Sequence, residues 1–175
     1  AYFLPYHAYD YCNVATSWMR RGLDRNSAKV LYLMAQSVHA AAQHVRTFER
    51  AEHYEIAPLP IPQGWSDERV CGEIFDAIIG RDHRRTTGLV ATYLAEKRSH
   101  RTLITTLAHA AGVYEGDPHV MRDAASCIEE YEENSTGRQE RILLYWSKYL
   151  SHAQKRTLEQ NCYQTYRRYL VNGKN

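Results

Sequence analysis

Nine histidines and 14 tyrosines stand against only three phenylalanines, so many side chains in this sequence can bind a metal or carry a proton. Two histidines draw attention by position. His109 falls with Thr102, Thr105, Thr106 and Val113, off the Leu103, Leu107 and Ala111 stripe of its own segment. His119 follows ten residues later in the first turn of the next segment, and Asp123 stands four residues beyond it on the same helical face. A carboxylate there can fix the second ring nitrogen of a metal-bound imidazole. The plainer reading is a histidine meeting solvent or a backbone carbonyl, and it is the commoner outcome for this spacing. His39 and His44 are five residues apart, about 140° around a helix, so one helix does not aim both at one ion.

Other chemistries are disfavoured by spacing. No Glu-x-x-His pair occurs to stack two di-iron ligands on one helical face. His-Glu-x-x-His, Gly-x-Ser-x-Gly, the Walker loop and Gly-x-Gly-x-x-Gly are also missing. Cys12, Cys71, Cys127 and Cys162 are far apart and read as buried thiols, with a reducing, cytoplasmic setting as the simplest expectation. The 22 basic and 20 acidic residues leave no basic excess for nucleic acid. Near the end, Tyr166 and Tyr169 follow the Leu158 and Cys162 stripe, so the aromatics are expected inside and Arg167 and Arg168 in solvent. No apolar run approaches the ~18 residues of a membrane span, and Ala1 to Asp10 lacks the regions of a signal peptide.

Apolar residues recur at threes and fours almost throughout, so the chain is expected to be all-α, with about eight helices in an antiparallel bundle or pair of bundles. The first helix, near 6–21, places His7, Tyr11, Val14 and Trp18 on one side and stops at Gly22. The second runs from Ser27 to about Arg50 along Val30, Met34, Val38 and Ala41. Three alternate prolines in 55–64 form an extended connection between two helical halves of a single domain, 1–175. Ser66 caps a third helix that ends before Gly80; a fourth spans about 84–97 and a fifth about 100–113. Asp117-Pro118 opens a sixth, with Met121, Ala124, Ala125 and Ile128 inside. Thr136-x-x-Gln139 and Ser151-x-x-Gln154 read as capping boxes opening the seventh and eighth.

The stretches His7-Ala-Tyr-Asp-Tyr-Cys-Asn-Val-Ala, Ala28 to Phe48 ahead of Pro58-Leu-Pro, Leu103 to Ala110 around His109, and Asp117-Pro-His119 carry a family resemblance, as do the last two helices. Over most of its length the chain resembles the α-helical region that accompanies a Rieske-type iron–sulfur domain in a group of poorly characterised proteins. A weaker likeness is to questin-oxidase-like helical proteins. No cysteine here is followed two residues later by histidine, so the chain holds no Rieske cluster of its own. The resemblance implies a helical domain associated with oxidoreductase chemistry, a Rieske-type or other redox domain as partner, and His7, His109 and His119 as recurrent family positions; three imidazoles there, with Asp123 orienting a ligand and a fourth position open, would suit a transition metal, iron or zinc, that activates water or oxygen. The alternative expectation is a noncatalytic interaction or scaffolding module that docks on a redox partner or self-associates as a homo-oligomer. Neither nucleic acid nor a membrane is expected as a partner.

Overall fold

Ser66, Asp82 and Ser99 open three successive helices by one device. Each side-chain oxygen accepts from the backbone N–H three residues on, of Arg69, Arg85 and Thr102 respectively, supplying an acceptor to an amide that the helix itself leaves unpaired. The computed structural model describes residues 3–22, 24, 26–48, 55–114 and 118–153. Among them are seven helices and no strand: α1 (Phe3–Arg21), α2 (Ser27–Phe48), α3 (Asp67–Ile79), α4 (His83–Ala95), α5 (His100–Val113), α6 (Pro118–Glu133) and α7 (Gln139–His152). The all-α expectation holds. The eighth expected helix, with Leu158, Cys162, Tyr166 and Tyr169, and the capping residue Asp117 lie outside the described residues.

The chain divides into two units, Ala1–Glu55 and Ile56–Asn175. In the first, α1 packs on α2. Asp24 sets the entry to α2: its Oδ1 accepts from the backbone N–H groups of Asn26 and Ser27 and from the Ser27 hydroxyl. The residues buried here are small or polar, namely Ala8, Asp10, Ala15, Ser27 and Ala41.

In the second unit α3, α4, α5 and α6 all border α7 or one another around a core of Ile74, Ile78, Val90, Tyr93, Leu103, Leu107, Leu143 and Trp146, each fully buried. Helix α4 buries Leu89, Val90, Tyr93 and Leu94, and α7 buries Leu143, Trp146 and Leu150 while Ile142 is half-buried. The proline-rich passage belongs to this unit. Leu59 donates its N–H to the Gly88 carbonyl at 3.1 Å, and Thr92 Oγ1 donates to the Leu59 carbonyl at 2.7 Å, so the segment lies along α4. Gly88 permits the approach, since a Cβ there would come within 2.7 Å of the Ala57 carbonyl oxygen.

Three sequence expectations change. Met121 and Ala125 are exposed, and α6 buries Val120, Asp123, Ala124, Ser126 and Cys127; its inner face is partly polar, which a hydropathy stripe does not register. Thr136 does not cap α7. Its N–H and hydroxyl both go to Asn134 Oδ1, and the helix starts at Gln139 after Arg138 with no side-chain cap. Ser151 lies inside the last turn of α7, where its hydroxyl donates to the Lys148 carbonyl at 2.8 Å, a back-bond that competes with capping. Helix α3 ends before Gly80 as expected; Gly80 keeps φ at −73°, and the left-handed residue is Arg81 at φ 61°. Arg81 N–H bonds the Ile78 carbonyl and Asp82 N–H the Ala77 carbonyl, the paired closure of a Schellman motif.

Candidate functional site

The threonines that accompany His109 in the sequence do share its face. Thr102, Thr105, Thr106 and His109 of α5 line an open groove of about 570 Å³ against Cys71 and Phe75 of α3. The His109 ring stacks on Phe75 with centroids 4.9 Å apart and planes at 22°. Thr105 and Thr106 donate their hydroxyls to the Arg101 and Thr102 carbonyls, both at 3.0 Å, and Thr102 donates to Ser99 Oγ. Their protons are thus used within the helix. Arg101 faces the groove beside Glu68 and Asp76, so the charges there are mixed in sign. At its inner edge burial pushes the Cys71 thiol up, which leaves it a packed thiol rather than a nucleophile.

Asp123 lies elsewhere, fully buried in α6. Its Oδ1 accepts from the Tyr145 hydroxyl at 3.2 Å, and Cys127 Sγ stands 3.8 Å from Oδ2. His119, one turn earlier, is exposed. His7 lies on α1, in the other unit, and its side chain is outside the described set. Among the described residues no group of three or more His, Cys, Asp or Glu side chains is placed to hold a metal ion. His109 is an exposed imidazole stacked on Phe75, His119 a second exposed imidazole, and Asp123 a carboxylate buried in α6.

Two histidine arrangements escape a reading of the sequence because each joins residues remote in the chain. His100 Nδ1 lies 2.7 Å from the Tyr131 hydroxyl, and its Nε2 lies 3.8 Å from Glu140 Oε1, which also pairs with Lys97 Nζ at 2.9 Å. Burial, then Glu140, raise the Tyr131 phenol above its ordinary value. The rings of His83 and His152, at the start of α4 and the end of α7, stand 4.5 Å apart. Neither arrangement has a local spacing signal.

The third feature is a surface. Tyr11, Val14 and Trp18 fall on one side of α1, as their spacing predicts, yet all three are exposed, Trp18 at 62%. On α2, Leu31, Tyr32 and Leu33 are exposed at three consecutive positions, as is Val38. Consecutive helical residues point about 100° apart, so α2 is open over most of its circumference at that level. Beside them runs an apolar groove of about 550 Å³ lined by Cys12, Leu31, Met34, Val38 and Ala42, with His39 at its edge. Neither Tyr11–Met19 nor Val30–Val45 contains a single Asp, Glu, Lys or Arg. No described helix is long and apolar enough to cross a membrane.

No protein-family model, curated protein or solved structure matches this chain.

Proposed function

We propose that the chain is a noncatalytic helical interaction module whose docking element is the α1–α2 hairpin and whose Ile56–Asn175 unit is a separately cored scaffold. The observation that carries this is the exposed apolar surface of Tyr11, Trp18, Leu31, Tyr32 and Leu33 on two helices whose buried residues, among the described side chains, are small or polar. A helix apolar on several sides is ordinarily covered on those sides. Exposed apolar area of this extent on a folded element marks an interaction site. The second unit has a core of its own, with Ile74, Ile78, Val90, Tyr93, Leu103, Leu107, Leu143 and Trp146 fully buried.

The test is a triple variant, Trp18→Lys, Leu31→Lys and Val38→Lys, melted below 1 μM beside the parent and followed by near-ultraviolet circular dichroism. A docking element predicts that the cooperative transition of the second unit keeps its midpoint within about 2 °C. A fall of more than about 5 °C, the size of a 1 kcal/mol loss in a domain of this length, would place these residues in a folding core and refute the reading.

A further inference from the structure

We infer that the partner of the α1–α2 hairpin is a second copy of this chain, the two hairpins pairing about a two-fold axis into an intermolecular four-helix bundle. The inference rests on the docking reading above and names its occupant.

Charge is the first argument. A partner chosen by electrostatic complementarity needs a charged rim to meet, and the runs Tyr11–Met19 and Val30–Val45 offer none. An uncharged apolar surface is complementary to another of the same kind, and a two-fold interface presents one patch to its own copy. Shape is the second. Tyr11, Val14 and Trp18 share one side of α1 as an exposed apolar ridge, Trp18 at 62% exposure, and a two-fold axis sets that ridge against its own copy.

Size is the third. Helices of 19 and 22 residues are about 28 and 33 Å long at 1.5 Å per residue. Two such helices side by side present a face roughly 20 Å wide, about 600 Å² from each copy. The pair would bury about 1,200 Å², at the lower end of the range for specific complexes. Two hairpins also supply the four helices that a bundle core requires. Among the described side chains Ala8, Ala15 and Ala41 bury little apolar area by themselves, whereas Tyr11, Trp18, Leu31, Tyr32 and Leu33 are exposed.

The experiment is sedimentation velocity of the full chain from 0.5 to 100 μM, with hydroxyl-radical footprinting read at Trp18 and Tyr32 by mass spectrometry. The expected result is a concentration-dependent dimer in which both residues are protected, with Trp18→Lys and separately Leu33→Lys each weakening dimerisation at least tenfold while helicity is unchanged. A monomer throughout with Trp18 and Tyr32 heavily oxidised overturns the second copy but leaves a docking element for another partner. A monomer with both residues protected overturns this inference and the docking reading together, since the face is then covered within one chain. A dimer that both substitutions leave intact overturns the inference by placing the interface elsewhere. Co-sedimentation of the monomer with phosphatidylserine vesicles, abolished by Trp18→Lys, would assign the face to a lipid surface and also overturn it.

Discussion

Leu59 and Gly88 are joined backbone to backbone: the Leu59 N–H donates to the Gly88 carbonyl at 3.1 Å, although 29 positions separate them and Gly88 lies within α4. An ideal Cβ at Gly88 would stand 2.7 Å from the Ala57 carbonyl oxygen and 2.8 Å from Leu59 Cγ. The proline-rich passage therefore uses the missing side chain as its seat.

Gly88→Ala should destabilise the protein. On an open helix surface the change stabilises by up to about 1 kcal/mol through propensity. Here the first obstacle is a backbone oxygen, which does not move without the strap, and overpacking of this kind costs about 1–3 kcal/mol. A lower urea midpoint with an unchanged slope is expected; a higher midpoint would show that the strap lifts without loss. Thr92→Val, which removes the bond to the Leu59 carbonyl, should weaken the same contact in the same direction.

Arg81→Gly should stabilise. Arg81 holds φ at 61° at the end of α3, a left-handed position that disfavours a residue with a Cβ by about 1 kcal/mol and suits glycine. The two closing hydrogen bonds use backbone atoms alone and survive the change. Thermal melts of the two proteins would decide it, an unchanged or lower midpoint counting against the argument.

Much of the second unit is legible in the order of its amino acids, and the places where that legibility ends have physical causes. Ser66 is a cap in sequence and in structure, and the α5 face of Thr102, Thr105, Thr106 and His109 follows from spacing because a helical period is a local property. Gly80 marks the end of α3 as its position predicts, while the left-handed residue is the next one, Arg81, which carries no glycine signal. The inner face of α6 is hidden from a hydropathy stripe because Asp123 and Ser126 are buried by partners on other helices, Tyr145 among them. On α1 the period places Tyr11, Val14 and Trp18 together but is silent on whether anything covers them. Convergence of His7, His109 and His119 is a tertiary expectation, for which a helical period carries no local signal.

Stability should depend on Asp67 in one pH window. Its Oδ2 accepts from the Ser99 N–H at 3.1 Å and its Oδ1 from Arg98 Nη1 at 3.1 Å. The Ser99 amide first, and then the Arg98 guanidinium, hold this carboxyl below its ordinary value of 3.8, against an opposing effect of burial. A carboxyl lowered by folding contributes stability that is complete above the ordinary value and is lost as pH falls through the lowered one. Asp67→Asn should therefore melt about 4 °C below the parent at pH 7, with the gap closing below about pH 4. A gap that widens on acidification would contradict the assignment.

Cysteine reactivity should rank by burial. Cys71 and Cys127 are buried and Cys12 is half-buried. Burial raises the thiols of both Cys71 and Cys12, so exposure decides between them. Alkylation with iodoacetamide at pH 7.5 and 0.5 μM protein, mapped by peptide mass, should modify Cys12 at least about tenfold faster than Cys71. Equal rates in the folded protein would show that α3 opens on the labelling timescale.

The strap of Ala57 to Pro62 has one further consequence, for proteolysis. A connection is usually where an enzyme cuts, because its backbone is free to enter a protease cleft. Here the Leu59 peptide is engaged from both sides by α4, and prolines at 58, 60 and 62 interrupt the amides that a cleft would pair with. The stretch that separates the helices in sequence should thus resist trypsin-like and chymotrypsin-like nicking as well as the helices themselves do.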